Sequence, residues 1–409
     1  MELDSLKDRL QREVKARAGV LLEASHQIHE HPELNYEERF AHDLLADLLE
    51  GEGLAVERGA FGLDTAFVAR AGGSGPAIAV LCEYDALPGI GHACGHNIIA
   101  TAGLGAGLAA ASLAEEAPGR VVILGTPAEE GGGGKILLAR AGAFEGIDAA
   151  LMVHPAGFDL ARMEVIAVQE LVATYTGEAA HAAAFPQRGR NALDAAVLGY
   201  LNVAALRQHI LPTERVHGIF TEAGEKPNIV PARAVTEWMV RSPSIVSLGP
   251  LKERVLNALR AGAMASGCEV EIAWKPVVYA DMLDNEVMVS LYKENATALG
   301  RMVLEPDPDR AVVGSTDMGN VSYLVPSIHP MIAAAPPGTP IHTPAFAEHA
   351  RAAIGDRAVL DGAVAMAWTV ADLWLGDGVL EAAQAEFTAT MARVGGDARR
   401  SAIGEVGEA

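Results

Sequence analysis

Three short, almost wholly apolar runs, 77–82 (AIAVLC), 121–125 (VVILG) and 149–153 (AALMV), alternate with helix-length stretches at 97–113 and 134–141. A strand without a polar face has to be covered on both sides. The alternation therefore predicts a parallel sheet between two helix layers. Sheets of this kind bind ligands just beyond the carboxyl ends of their strands. In this chain each run is followed directly by polar, ligand-type residues. Ahead of them, Leu6, Leu10, Val14 and Leu21 predict a helix over about 3–22. Phe40, Ala41, Leu44, Leu45, Leu48 and Leu49 predict a second helix that starts at an Asn35 cap and ends at Gly51 and Gly53.

From about residue 165 the pattern changes. An alternating strand (165–176), a helix (191–208), strands near 216–221 and 234–240, a helix (248–265) and a strand (269–273) follow in turn. That β-α-β-β-α-β order is the split ferredoxin-like unit. It predicts an inserted domain at 166–277 within a first domain built from 1–165 and 278–409. The first pattern then resumes with a helix at 286–299, an apolar strand at 331–335 and a helix at 356–375, and the tail from about 395 reads as frayed.

The 53 acidic against 31 basic residues, a net charge of −22, exclude a nucleic-acid carrier. The opening residues MELDSLKDRLQREVK have no apolar core, so they are not read as a signal peptide. The longest apolar stretch, about 98–114, is shorter than a membrane span and lacks interfacial aromatics. Cys82, Cys94 and Cys268 are an odd set that argues against a disulfide framework. A cytoplasmic protein with no membrane or nucleic-acid partner is expected.

Several clusters lie where the strand-end rule points. Gly91-His92-Ala93-Cys94-Gly95-His96-Asn97 sets a Cys and a His two apart in a Gly-flanked turn that opens a helix. Thiolate and imidazole are preferred zinc ligands, although an isolated pair is more often a buried Cys beside surface histidines. Thr126-Pro127-Ala128-Glu129-Glu130-Gly131 places adjacent carboxylates after the second run. Like charges side by side raise one pKa. A cation removes that conflict, so one carboxylate can bind it while the other serves as a base towards water. Alone, such a pair is more often a solvated surface feature. His154 ends the third run, and His342 lies in the proline-stiffened loop Gly338-Thr339-Pro340-Ile341-His342-Thr343-Pro344. Singly, each reads more readily as a structural histidine.

Two other glycine-rich segments fail as nucleotide motifs. Gly131–Gly134 with Lys135 breaks the phosphate-loop spacing, since Glu129 and Ile136 stand where Gly and Ser/Thr are required. Gly103-Leu104-Gly105-Ala106-Gly107 lies inside a helical stretch, where its glycines serve close packing. Taken together, Cys94, His96, Glu130, His154 and His342 converge on one sheet rim. They are enough to hold two divalent cations, with Glu129 left over, a constellation for metal-assisted hydrolysis.

With these residues assembled, the chain resembles the aminoacylase–carboxypeptidase G family of metallopeptidases and amidohydrolases over nearly its full length. The resemblance rests on His29-Glu30-His31-Pro32-Glu33, Tyr84-Asp85-Ala86-Leu87-Pro88, Cys94-Gly95-His96-Asn97 and Pro127-Ala128-Glu129-Glu130-Gly131. It extends to His154-Pro155, Ala180-His181-Ala182, Asn228-Ile229-Val230-Pro231 and His342-Thr343-Pro344. Within the family the chain is most similar to the auxin-conjugate and aminobenzoyl-glutamate branch, in which the Cys and His of this turn are ligands. CEYDALPGIGHACGHN and KPNIVP particularly resemble dipeptidases acting on β-alanyl and γ-aminobutyryl conjugates of basic amino acids. Other branches carry a His-x-Asp pair where this chain has Glu83-Tyr84-Asp85. The usual His ligand is therefore absent, and Asp85 is expected to back the ligands. Asn97 replaces the branch's common Asp.

The resemblance implies an α/β metallopeptidase catalytic domain with a mixed sheet and helices on both faces, plus an inserted ferredoxin-like α+β lid/dimerisation domain. It implies two divalent metal ions, zinc or manganese with cobalt as an alternative, and a homodimer formed through the lid. His181 is expected to reach across that dimer to the scissile carbonyl oxygen, with Asn228 near the same site. Arg241, or less favourably Arg233, is expected to grip the substrate carboxylate. The substrate the resemblance implies is a small amide, either a β-alanyl-type dipeptide or an N-acyl amino acid such as aminobenzoyl-glutamate. Rival readings are a thiol hydrolase using Cys94 with His92 or His96, and a non-catalytic regulatory relative. The first leaves Glu129, Glu130, His154 and His342 without a task, and the second should have lost a ligand or the base.

Overall fold

The computed structural model describes residues 2–306 and 313–404. The chain divides into two compact units. One runs to Glu164 and resumes over Met282–Arg399, and the other is Val165–Asp281 with residues from Arg400 on.

In the first unit the apolar runs form the middle of a mixed sheet. Its strands are β1 (Val56–Arg58), β2 (Phe67–Ala71), β3 (Ala77–Glu83), β4 (Arg120–Thr126) and β5 (Ala149–Leu151), with an edge strand Ser327–Ile328. The order is β1-β2-β4-β3-β5-edge. β3 runs parallel to both β4 and β5, and β5 runs parallel to the edge strand. β2 and β1 add antiparallel pairing on the far side of β4. Those two outer strands are not legible as strands in the sequence, because VER and FVARA are short and carry exposed charges. Every residue of β3 is buried, as a strand covered on both faces requires.

Helices supply that cover. The opening segment is two helices, α1 (Leu3–Ala16) and α2 (Ala18–Glu30), rather than the single one expected. They break at Arg17, whose guanidinium pairs with Glu13 and Glu52. α3 (Arg39–Gly51) begins later than Asn35 and is capped by Glu33, whose carboxylate accepts from the amides of Phe40 and Ala41. α4 (His96–Leu113) is buried on nearly all sides. It and Ala353–Leu375 are long and apolar enough to cross a membrane, but 89% and 78% of their apolar windows are buried inside this unit. α4 presses directly on the sheet. A Cβ on Gly103 would lie 2.4 Å from the Leu81 carbonyl oxygen, and one on Gly107 2.6 Å from Ile123. The opposite sheet face is covered by α5 (Gly134–Arg140) and the short helix Met318–Ser322, whose Leu138, Met318 and Val321 pack with Ala79, Leu81 and Leu124.

The second unit has the expected β-α-β-β-α-β order, with helices Ala192–Leu206 and Ile245–Ser266. Its antiparallel sheet is ordered Glu269–Tyr279, Ala167–Thr176, Arg233–Ser242, Arg215–Glu222. The first of these strands outruns its expected end at 273, which moves the unit's boundary from 277 to Asp281. Pro276 within it is tolerated because this is an edge strand whose register shifts between Trp274 and Val278. The tail is not frayed at 396–402: Gly396–Ala402 is helical, with Ala398 and Ala402 buried.

Candidate metal centre

The segments that follow β3, β4 and β5, joined by the His342 loop, bring the predicted ligands to one place. His154 opens a short strand of its own, His154–Ala156, paired with Met331–Ala333 outside the main sheet. β3 ends at Glu83, and Tyr84 and Asp85 follow it into the interior. His96 is the first residue of α4, preceded by Gly95 at φ +77°. Only glycine suits that position, since a Cβ there would meet Pro155 at 2.6 Å. After β4, Ala128 adopts φ +59°, turning Glu129 and Glu130 away from the strand. The amide of Ala128 donates to Glu38 Oε1 at 2.8 Å, and Glu38 is buried and also holds Thr65. Burial pushes the Glu38 carboxyl up to about 7. His342 is likewise left-handed, at φ +60°, and its amide donates to the Ala93 carbonyl at 2.8 Å. That bond pins the His342 loop to the Cys94 turn.

The side chains meet in overlapping groups. The ligand atoms of Cys94, His96 and His154 lie within 4.8 Å of one another, as do those of Cys94, Glu130 and His342. Cys94 Sγ is 3.4 Å from His154 Nε2, and Glu130 Oε1 is 3.7 Å from His96 Nε2 and 3.5 Å from His342 Nε2. A third group joins Glu83, His96 and Glu129.

The tautomers follow from the partners. His154 Nδ1 donates to its neighbouring Pro155 carbonyl at 2.8 Å, so its Nε2 lone pair faces Cys94. Burial holds this imidazole neutral, with a pKa of about 3. His96 Nδ1 donates to Asp85 Oδ1 at 3.0 Å, so that in the neutral ring Nε2 is the lone pair. Burial is outweighed here by Glu83, Cys94 and Asp85, which push the imidazole well above its usual pKa. Asp85 takes the Glu130 amide with its other oxygen at 2.9 Å. Burial works against the ionised Asp85, yet His96 and that amide hold its pKa below the usual range. Asp85 thus orients both the His96 ring and the Glu130 backbone. Burial, reinforced by Glu83 and Glu130, pushes the Glu129 carboxyl well up, as a general base or acid requires.

The donor set fits divalent cations. Glu83, Asp85, Glu129 and Asp317 are each at most 9% exposed, and the Glu130 side chain is 11% exposed. Lys135, also buried, pairs with Glu83 and Asp317. Glu83 Oε1, His96 Nε2 and Glu130 Oε1 are buried without hydrogen-bond partners among the described residues. Such groups are costly unless a cation satisfies them.

Glu83, Lys135 and Asp317 are not among the sequence's candidates. Glu83 sits at the carboxyl end of an apolar strand, where the rule that finds Glu130 also points. Lys135 carries only the failed phosphate-loop pattern, and Asp317 has no local signal.

The remaining predicted residues belong to the second unit. His181 is exposed, and its Nδ1 accepts from the amides of Ala183 and Ala184 at 3.3 and 3.1 Å. Asn228 is beside it: His181 bridges to Ile229, and the Ala182 amide donates to the Asn228 carbonyl at 3.0 Å. Arg241 does not join them. The His181 segment continues from the Thr176–Arg233 end of the sheet, where the Gly177 amide donates to the Ala232 carbonyl. Arg241 lies at the other end of Arg233–Ser242, about 26 Å away at ~3.3 Å per residue. There it is half-buried, with Nη2 2.9 Å from Met239 Sδ. Arg233, at the near end, pairs with Glu222 at 2.8 Å.

A family model described as peptidase family M20/M25/M40 matches residues 79–366. The Xaa-Arg dipeptidase of Mus musculus is 42% identical over 406 residues, covering 94% of this chain and 93% of that protein. A p-aminobenzoyl-glutamate hydrolase polypeptide of Escherichia coli (strain K12) is 30% identical over 433 residues, covering 88% and 90% respectively. Among solved structures, a dinuclear metal-binding peptidase of the M20 family from Bacillus subtilis superposes with a TM-score of 0.70 at 20% identity, covering 88% of this chain and 99% of that one. The aminobenzoyl-glutamate utilization protein from Klebsiella pneumoniae gives 0.71 at 20% identity, covering 90% and 99%.

Proposed function

Because the chain belongs to peptidase family M20/M25/M40, we propose that the cluster at the sheet rim is the centre of a two-metal amidohydrolase that cleaves dipeptides with a basic C-terminal residue. Hydrolysis of a dipeptide or N-acyl amino acid follows from the family and its relatives. The narrower substrate is supported by 42% identity to an Xaa-Arg dipeptidase across almost the whole chain. The observation that carries the mechanism is the convergence of Cys94, His96, Glu130, His154 and His342, with Glu129 beside them.

Those five residues are the proposed ligands of two divalent cations. Bound there, the cations polarise the scissile carbonyl and lower the pKa of water towards neutrality. Glu129 takes the proton of the attacking water and later delivers it to the leaving amine, and its raised pKa suits both steps. Asp85 fixes the His96 tautomer and the backbone of Glu130. Zinc is the favoured metal for a site with thiolate and imidazole donors, and manganese is the alternative its carboxylates permit. A reducing, cytoplasmic setting is proposed with it, since it keeps the Cys94 thiol unoxidised.

His181 and Asn228 are the proposed contacts to the carbonyl side of the substrate, and Arg241 the contact to its carboxylate. The span between them on one lid is several times the length of a dipeptide. A homodimer, in which one substrate meets His181 and Asn228 of one copy and Arg241 of the other, reconciles these roles. The test is a panel of β-alanyl-lysine, β-alanyl-arginine, aminobenzoyl-glutamate and acetylated amino acids offered to metal-loaded enzyme. The basic dipeptides should show the highest kcat/KM. Preference for aminobenzoyl-glutamate would refute the substrate assignment and leave the reaction class intact.

A further inference from the structure

Glu83 closes β3 with its two carboxylate oxygens committed differently. Oε2 accepts from Lys135 Nζ. Lys135 is fully buried and is fixed in turn by Asp317, which takes Nζ at 2.7 Å through Oδ1 and the Lys135 amide at 2.9 Å through Oδ2. That anchorage leaves the ammonium held between two carboxylates, away from solvent, and sets the rotamer of Glu83.

Oε1 points the other way, towards His96 Nε2 at 3.1 Å, and neither atom has a hydrogen-bond partner among the described residues. In the neutral ring, whose proton is on Nδ1 and held by Asp85, Nε2 offers a lone pair towards Oε1. Two such buried donors are held together by a cation shared between them, either a proton or a metal ion. Their separation matches that use: neighbouring donors on an ion with ~2.0–2.2 Å bonds are about 3.0–3.5 Å apart. A Glu129 carboxylate oxygen lies within 4.8 Å of the same pair.

We propose that Glu83 is a further ligand of one of the two cations, shared with His96, and that Lys135 and Asp317 are positioning residues that hold Glu83 Oε1 at that cation. The proposal deepens the two-metal reading and rests on it. Lys135 keeps Oε2 off the metal, so Glu83 binds through one oxygen.

Two measurements test this. The first uses the unaltered protein: crystals are grown with zinc or manganese, and the cations are located by anomalous scattering. One cation should lie about 2.0–2.2 Å from Glu83 Oε1. Both cations lying clearly outside bonding distance of Oε1 would overturn the proposal.

The second is metal affinity, read by elemental analysis and by competition with a chromophoric chelator for zinc alone. Glu83→Gln keeps the side chain's volume and an acceptor for Lys135. It should weaken one of the two sites about 10–100-fold and leave the other unchanged. Lys135→Met should weaken the same site, and cobalt-loaded Glu83→Gln should show an altered visible spectrum. Zinc bound to Glu83→Gln at both sites with unaltered affinity would contradict the assignment. If the unaltered protein binds fewer than two cations, the two-metal reading itself fails.

Discussion

At the level of single residues, neighbouring side chains divide the labour of the centre. Glu130 and Glu129 are adjacent; Glu130 faces the imidazoles of His96 and His342, at 3.7 and 3.5 Å, while burial and neighbouring carboxylates push the Glu129 carboxyl well up. Glu129→Gln should therefore retain both cations and lose at least ~100-fold in kcat. Elemental analysis beside steady-state kinetics separates the two effects, and wild-type turnover in this variant would remove Glu129 as the base. Cys94→Ala should deplete bound metal, because Cys94 belongs to two of the ligand groups; full occupancy in that variant would strike it from the set.

A separate titration concerns stability. Asp284 Oδ1 is buried without a hydrogen-bond partner among the described residues, and burial pushes its carboxyl from 3.8 up to about 7. The folded state thus binds the proton more tightly than the unfolded one. The stabilisation is complete below about pH 4 and is lost as the pH rises through 7. Asp284→Asn should raise the melting temperature at pH 8, by on the order of 1–2 kcal/mol in stability, with the gain vanishing towards pH 4. A gain independent of pH would show that the carboxyl's ionisation is not the cause.

Among the elements, the strand ends explain why so much of the centre is legible in the sequence. Each apolar run deposits its next polar residue at the same rim, so Cys94, His96, Glu130 and His154 can be placed together without knowledge of the fold. Glu83 stands where the same rule points but escapes because it occupies the place of the family's usual His ligand, and Asp317 escapes because it reaches Lys135 through tertiary packing. β1 and β2 escape because short, partly charged segments carry no period. The glycines of α4 serve packing, as their helical context predicts, and the fold gives the reason in distances. Gly103→Ala would drive a Cβ to within 2.4 Å of the Leu81 carbonyl oxygen, so α4 or β3 must shift. The expected cost is about 1–3 kcal/mol in a urea titration, with weaker metal binding, since His96 begins α4 and Glu83 ends β3. An unchanged midpoint would mean that helix and sheet are not in the contact described.

For the molecule as a whole, the inserted unit is legible as a β-α-β-β-α-β order, whereas the separation of Arg241 from His181 is not. Strand register sets that separation, and register does not appear in local sequence. Its consequence is quaternary. A chain of 42.6 kDa should run as a dimer of about twice that mass in light scattering. His181→Ala and Arg241→Ala homodimers should each be impaired, whereas co-expression of the two variants should restore roughly a quarter of the wild-type activity through mixed dimers with one intact site. A mixture no better than its parents would place both groups on the same copy's substrate.

Stripping the protein with a chelator and titrating zinc back, while following β-alanyl-lysine hydrolysis and bound metal together, addresses the two-cation centre most directly. The stripped enzyme should be inactive, and activity should plateau at two equivalents. Undiminished hydrolysis by metal-free protein would contradict the account.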